Sequence, residues 1–563
     1  MLPFDTQLAE YVLLGNLAAG AKEMGMRPRS LSLDMSVRRR GGKIKDPVVD
    51  VMIKNGINPV RLPRSWLQGR AEQDVETTEE LFLDQRKELV KRNLLPVLFT
   101  RVLLTPVLAD IEPEGMALDA ERVEATHRKY TERLAELEKE LEKLVDGANW
   151  RSPKQMAGII YDKLGFREVT DWRGKPKRTA KGQRKADAKT IDKLVADTAE
   201  QREFIRIRKE IGKVGAAISK NLDFFLGVVR ERGGVFYASF NQSNTATHRL
   251  SSSGITLTFQ TLKDEKGKPK KGTVQFQNMP RAFKKLFKAK REGWYMVDVD
   301  GAQLEFRVAA ELGHDTQAFE DITNPEFDSH RFTASEIFGT TVEAVKAQEQ
   351  EAFAKGIDSW RQQAKPDTFK PLYGGSKGTP EQERYYAAFK QRYRGIAQTQ
   401  ESWVEQVLQS VEAGGQGELI TPWGLRYYWP IAKRPWKADG FVNVGSAVYN
   451  YPIQALATAE IIPIAIVYLW HKLPEFGLED YVHLVNTVHD SAPCEVHPDH
   501  VEQFVLLAKQ CFTHDVYHYL EVVYGMDFAI PLGVGIKVAE HWGDTKDEQA
   551  FDIYKDGREV KRK

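Results

Sequence analysis

The chain has 563 residues, 42% hydrophobic and 28% charged, which suits roughly three or four ordinary globular domains and excludes a disordered or membrane-embedded class. A formal net charge of +2 excludes overall charge as a reason to bind nucleic acid, so any such binding rests on local patches. Cys494 and Cys511 are too few for a disulfide framework or a four-cysteine zinc site and suit a reduced, cytoplasmic setting, the apolar run 461–470 is too short to span a bilayer, and Asp5 and Glu10 stand where a secretory signal would be basic.

In chain order, residues 1–105 mix helical stretches with a basic loop around Arg38, Arg39, Arg40, Lys43 and Lys45, followed by a predicted acidic helix over 72–88. The pattern is then long and helical to about residue 240. Within it, 117–144 carries Glu, Lys, Arg, Leu and Ala at the spacing of an amphipathic helix or helical hairpin. Ser152 followed by Pro153 reads as a helix cap and first turn. The stretch 172–189 is polar, basic and glycine-containing, a predicted loop, and 263–271 predicts a basic hairpin. From Arg281 to Arg291 the cations run without an acid. Residues 294–300 alternate with period two, so Val297 and Val299 share one face of a strand while Asp298 and Asp300 share the other. Gly301 and Ala302 break that strand, and a helix is predicted near Gln303. Further on, 379–415 is helical, 420–429 reads as a hairpin, 449–470 as an amphipathic helix, 483–496 as two short strands joined around His489-Asp490, and 547–563 as a charged, mobile tail.

A carboxylate fixed at a strand end suits a hard cation such as Mg²⁺ or Mn²⁺, although an isolated acid there is more often a solvated turn residue. Asp490 supplies a second acid, and if the two meet they form a two-metal site of the kind used in phosphoryl transfer. Three stretches stand in order: Asp298 to Leu312, Arg361-Gln-Gln-Ala-Lys365-Pro-Asp-Thr-Phe369-Lys-Pro-Leu-Tyr373-Gly374, and Val488-His489-Asp490. Around them lie Thr245-Ala-Thr-His-Arg249-Leu-Ser-Ser-Ser253, Phe276-Gln-Asn278-Met-Pro280 and Asn450-Tyr-Pro-Ile-Gln454. On these motifs and their order the chain resembles family A DNA polymerases, the DNA polymerase I class, of a bacteriophage-like type.

The resemblance implies an α+β fold, a right-hand polymerase of thumb, palm and fingers with an antiparallel palm sheet. Residues 1–105 would be the C-terminal part of a 3′–5′ exonuclease-like domain, 106–255 the thumb, 256–318 the first part of the palm, 319–418 the fingers, 419–546 the second part of the palm, and 547–563 the tail. The implied activity is template-directed addition of deoxynucleotides to a primer 3′ end, with pyrophosphate release, in phage-type replication. Implied partners are primer-template DNA, dNTPs and two Mg²⁺ (or Mn²⁺) per site, with no membrane and, for a phage protein, the host cytoplasm. In the exonuclease-like part Asp74 matches the last motif's acid, but Arg70 stands where that motif has tyrosine. One acid cannot hold two metals, so no intrinsic proofreading is expected. A separate exonuclease polypeptide or a processivity factor is an expected partner, with 263–271 and the loop from Trp172 the places to look for the latter.

By motif match, Asp300 and Asp490 are the catalytic, metal-holding acids, and Asp298 is a neighbour. Arg361, Lys365, Phe369 and Tyr373, spaced four by four as one helical stripe, join His330 and Gln303 in binding the nucleotide, the cations toward the triphosphate and the rings toward base and sugar. Glu305 matches the position that excludes a ribose 2′-hydroxyl. Arg249, Gln275, Asn278, Arg426 and His489 match DNA contacts, and Asn450 and Gln454 match the amides that read the minor groove near the primer terminus. The chain departs from the pattern at Gly301, where tyrosine is usual, at Ser491, where a second acid is usual, and at Pro366 and Pro371, which predict a shortened or kinked fingers helix. A single-subunit RNA polymerase is the alternative enzyme, disfavoured by Glu305. A catalytically silent DNA-binding scaffold is the other alternative, disfavoured because Asp300, Asp490, Lys365 and Arg361 are all present.

Overall fold

The computed structural model describes residues 4–170, 174–179, 181–263, 267–355, 358–434, 444–544 and 547–562. The chain divides into two compact units, one made of residues up to 115, 238–253 and from 291 onward, the other of 116–237 and 254–290.

The first unit is organised by a six-stranded antiparallel sheet. Its spatial order is Val482–Leu484, Ser491–Val496, Tyr295–Gly301, Leu532–Ala539, Asp547–Ile553 and Glu559–Arg562. The alternation read at 294–300 is realised: Val297 and Val299 are fully buried. One contiguous core joins them to Val534 and Ile536 of the neighbouring strand, and to Leu104 and Ile464 of the helices Leu95–Glu114 and Ile462–Glu475. Those two regions are also tied by a buried ion pair, Arg101 to Glu460, with the hydroxyl of Tyr524 donating to the same carboxylate. Burial makes such a pair costly to break from one side.

The tail differs from expectation. Its described residues form the last two strands of the sheet, because Phe551 and Ile553 are apolar enough to bury and Asp552, 3% exposed, sits between Arg307 and Arg562. The apolar run at 461–470 likewise belongs to something longer. The continuous helical stretch Gly445–Glu475, with a π-turn at Leu456–Ile461, is long and apolar enough to cross a membrane, yet 83% of its apolar window is buried inside the fold. It is a core helix of this unit.

The second unit packs helix Ala120–Val145 on helix Ala199–Ala217 through Leu137, Leu141, Phe204, Ile207 and Ile211. Asp119 caps the first, and Thr198 with Gln201 forms a reciprocal capping box on the second. The expected basic hairpin is present as strands Ile255–Lys263 and Pro269–Val274, and residues 264–266 lie outside the described residues. Phe259 from that hairpin meets Phe224 edge to face at 5.4 Å and lies so close to Gly227 that a Cβ there would be 2.4 Å from the ring. This packing moves the expected boundaries. Residues 254–290 join the helical unit instead of opening the sheet unit, 238–253 join the sheet unit instead of closing the helical one, and the expected break at 105 falls inside helix Leu95–Glu114. In the loop read at 172–189, residues 172, 173 and 180 lie outside the described residues, and the remainder includes isolated bridges and the short helix Ala188–Ile191.

Candidate active site

Strand register brings the two motif acids together. Asp300 lies opposite Ser491 on one side and Gly535 on the other. Residues 488 and 491 bridge each other, so His489 and Asp490 form the two-residue turn between them, with His489 in the left-handed region at φ 58°. The N–H of Gly301 donates to the carbonyl of Asp490 at 2.9 Å, fixing that turn against the end of the Asp300 strand. Gly535 makes room for the acid: a Cβ at that position would lie 2.2 Å from Asp300 Oδ1.

Burial pushes the Asp300 carboxyl up to about 6, and Asp298 and Asp490 push the same way against the opposing charge of Lys537. Lys537 Nζ is 3.4 Å from Asp300 Oδ2 and 3.2 Å from Glu548 Oε1. Asp298 accepts from Trp542 Nε1 at 3.0 Å. The donor set fits a hard divalent cation, because a desolvated carboxylate among like charges gains from one. Among the described residues no group of three or more His, Cys, Asp or Glu side chains could hold a metal. Two carboxylates would leave coordination places for other ligands, as Mg²⁺ commonly requires.

A second group of predicted residues gathers around the helix that follows the strand. Gln303, at φ 52°, turns the chain into helix Leu304–Leu312 and donates to Ser329 Oγ at 3.4 Å. Asp328 caps helix Ser329–Phe338 and also holds the Arg361 guanidinium at 3.0 Å. His330 Nδ1 is 2.9 Å from Thr368 Oγ1, and its ring meets Phe369 at 6.0 Å. Burial lowers the His330 pKa to about 4, helped by Arg361 and Lys365, so the ring is neutral at pH 7. The hydroxyl of Tyr373 donates to Glu305, which also bonds Gln454. Burial raises the Glu305 pKa, with Arg249 opposing.

The four-by-four stripe does not lie on one helix. Only Trp360–Ala364 is α-helical, Lys365 closes it, and Pro371–Tyr373 is a 3₁₀ turn, as the prolines at 366 and 371 predict. Phe369 and Tyr373 are nevertheless brought to His330 and Glu305 by the tertiary fold.

Among the predicted DNA contacts, Arg249 Nη2 is 2.7 Å from His489 Nδ1, next to the Asp490 turn. Asn450 and Gln454 share helix Gly445–Ala455, and Asn450 Oδ1 is buried without a partner among the described residues. Gln275 precedes the 3₁₀ turn Phe276–Asn278 in the helical unit, and the side chain of Asn278 lies outside the described residues. Arg426 does not join this group. It pairs with Glu418 at 2.8 Å and lines a cavity against the first helices of the chain. Sequence reasoning missed Gly535 and the role of Lys537. Their signal was present, since Gly533, Gly535 and Lys537 alternate on one face of a strand.

The family model described as DNA polymerase family A matches residues 120–544. DNA polymerase I of Bacillus subtilis (strain 168) is 26% identical over 555 residues, covering 96% of this chain and 55% of the relative. The thermostable DNA polymerase I of Thermus aquaticus is 28% identical over 456 residues, covering 79% of this chain and 48% of the relative. The chain thus spans about half the length of the curated relatives it matches. Its fold is similar to that of the POL domain of Pol1 from M. smegmatis, solved in complex with DNA primer-template and dNTP, with a TM-score of 0.68 at 21% identity, over 96% of this chain and 82% of that one. With most of its length matched by the family model, the chain belongs to DNA polymerase family A.

Proposed function

We propose that the chain is a DNA-directed DNA polymerase, adding deoxynucleotides to a primer 3′ end with release of pyrophosphate, in phage-type replication. The observation that carries this reading is the register that sets Asp300 beside the Asp490 turn, with Gly535 clearing space at the carboxylate. In the right-hand description the sheet unit supplies palm and fingers, and the helical unit supplies the thumb. The two buried, free cysteines suit a reducing compartment.

Asp300 and Asp490 would hold the divalent ions, which when bound supply Lewis acidity to the primer 3′-hydroxyl and to the leaving pyrophosphate. Arg361 and Lys365 bind the triphosphate, and Asp328 orients Arg361 by holding one side of its guanidinium. His330 and Gln303 line the nucleotide, the neutral His330 ring acting by hydrogen bonding and packing instead of charge. Phe369 and Tyr373 lie toward base and sugar. Glu305, braced by Tyr373 and Gln454, occupies the volume a ribose 2′-hydroxyl would need. Arg249 and His489 contact the primer strand together, Asn450 and Gln454 test the minor groove, and Gln275 and Asn278 contact DNA from the helical unit. The Asp74 carboxylate is engaged by Arg70 and Lys45, which supports the reading that Asp74 does not take part in trimming a primer.

The test is extension of a labelled primer with dNTPs or rNTPs and Mg²⁺, comparing wild type with Asp300→Ala and including a 3′-mismatched primer. Wild type should extend with dNTPs alone and leave the mismatch untrimmed. Asp300→Ala should lose at least about a thousandfold in rate, roughly 4 kcal/mol of transition-state stabilisation. Extension by the variant at the wild-type rate would remove Asp300 from the chemistry.

A further inference from the structure

A concentration of positive charge around one cavity in the sheet unit lies away from the acids. A cavity of about 660 Å³ is lined by Arg29, Arg39, Arg40, Lys91, Arg92 and Arg426, against the carboxylates Glu10, Glu88 and Glu418. It shares no lining residue with the Asp300 turn or with the nucleotide-binding group.

The three acids are already engaged. Glu10, 1% exposed, holds Arg39 at 2.8 Å and Arg40 at 2.7 Å, Glu88 holds Arg92, and Glu418 holds Arg426 at 2.8 Å. Arg29 and Lys91 form no ion pair among the described residues. Arg426 Nε is buried without a partner among the described residues, a donor that burial alone makes unfavourable.

The walls are built and fixed. Gly15, at φ 54°, ends the first helix so close to the hairpin that a Cβ there would be 2.2 Å from the Arg426 carbonyl oxygen. The side chain of Asn16 then bonds the backbone of Tyr428 in both directions, donating to its carbonyl at 3.0 Å and accepting from its N–H at 2.8 Å. Leu13, Leu14, Leu17 and Tyr428 add apolar surface beside the cations. A preformed cavity of this volume, part apolar and with an excess of guanidinium groups, has the size of a nucleotide-sized site and the donors for phosphate.

We propose that this cavity is a second nucleotide-phosphate site, taking a phosphate with its attached sugar or base from either a single-stranded nucleic-acid segment or a free nucleotide. Apolar surface beside a cationic rim is the combination by which single strands are bound without sequence preference. The inference goes beyond the polymerase reading and stands without it.

The full chain, with excess unlabelled blunt hairpin duplex present to occupy duplex-binding surfaces, is titrated by fluorescence anisotropy with labelled dT12 and, separately, with a labelled dATP analogue. Wild type is compared with Arg29→Ala/Lys91→Ala, two positions at the cavity rim outside the core. The double variant should bind the occupying ligand about tenfold more weakly at low salt, and for the oligonucleotide the salt slope should fall by about 2, one for each phosphate contact removed. Weakening of dT12 alone identifies a strand as the source, and weakening of the dATP analogue alone identifies a free nucleotide. Equal binding of both probes by wild type and variant overturns the proposal. Single-nucleotide addition on the same samples reports on the acid site separately, so wild type that adds nucleotides yet binds both probes no better than the variant keeps the acid site and removes the cavity.

Discussion

Two motif acids of the sheet unit meet opposite environments. Asp300 is half-buried at a strand end near Asp298 and Asp490, with one lysine that it shares with Glu548, and its pKa rises. Asp74 lies on helix Arg64–Lys91, where partial burial pushes its pKa up but Arg70 and Lys45 outweigh that and hold it below the usual carboxylate range. The same side chain is therefore an electrostatic deficit in one place and a neutralised charge in the other. A carboxylate whose charge is uncompensated gains from a cation brought by substrate, whereas one already flanked by cations is an element of structure. A motif supplies the acid, and the surrounding charges decide which of the two it is.

The contrast breaks most sharply at the glycine that leaves Asp300 its space. In Gly535→Ala the new methyl would stand where Asp300 Oδ1 now is, at 2.2 Å, and the carboxylate would rotate because it is the movable partner. Extension at saturating dNTP should fall about ten- to a hundredfold, the scale of a displacement near 1 Å in a catalytic group. The thermal midpoint should shift little, since the strand backbone is not displaced. Unchanged kcat in single-turnover extension would mean that Asp300 does not need this space.

Glu305 sharpens the comparison from the substrate side. It too is an acid with a raised pKa, but Tyr373 and Gln454 hold it, which supports the proposed role in shape over one in metal binding. Glu305→Ala should therefore leave the Mg²⁺ dependence of dNTP addition as it is. Its discrimination against rNTPs, measured as the ratio of kcat/KM values, should fall about tenfold or more. A shifted Mg²⁺ dependence with intact discrimination would reverse the two roles.

Much of this site was legible because it is local. Period-two alternation set Asp300 at a strand end, and the short strands around His489-Asp490 set the second acid at a turn. The prolines at 366 and 371 marked where the helix after Trp360 would stop. What was not legible depends on pairing across the chain. Residues 547–562 look like a tail by charge, and they become strands only because Leu532–Ala539 offers them an edge and Arg307 and Arg562 compensate Asp552. Arg426 matches a DNA contact by motif, and its place at the cavity beside the first helix rests on Gly15 and Asn16, the Asn16–Tyr428 bond spanning 412 residues. Residues 254–290 join the helical unit through Phe259 on Gly227, a contact that no local pattern announces.

The smallest effect is expected at Asp74, and it is the other half of the comparison. Asp74→Ala should leave primer extension unchanged and should not alter the fate of a mismatched primer. Its ion pairs with Arg70 and Lys45 are partly exposed, so their loss should cost at most about 1 kcal/mol of stability. The sign with pH follows from the lowered pKa. The carboxylate adds stability above the ordinary aspartate range near about 4 and loses that contribution as pH falls through its own lower folded value. The difference in thermal midpoint between wild type and variant should accordingly be present at neutral pH and close in acid, at pH values where both still fold. A difference that persists in acid would mean that the helix depends on Asp74 through packing, and a loss of extension would mean that the acid of the Arg64–Lys91 helix is not the neutralised partner it is in the structure.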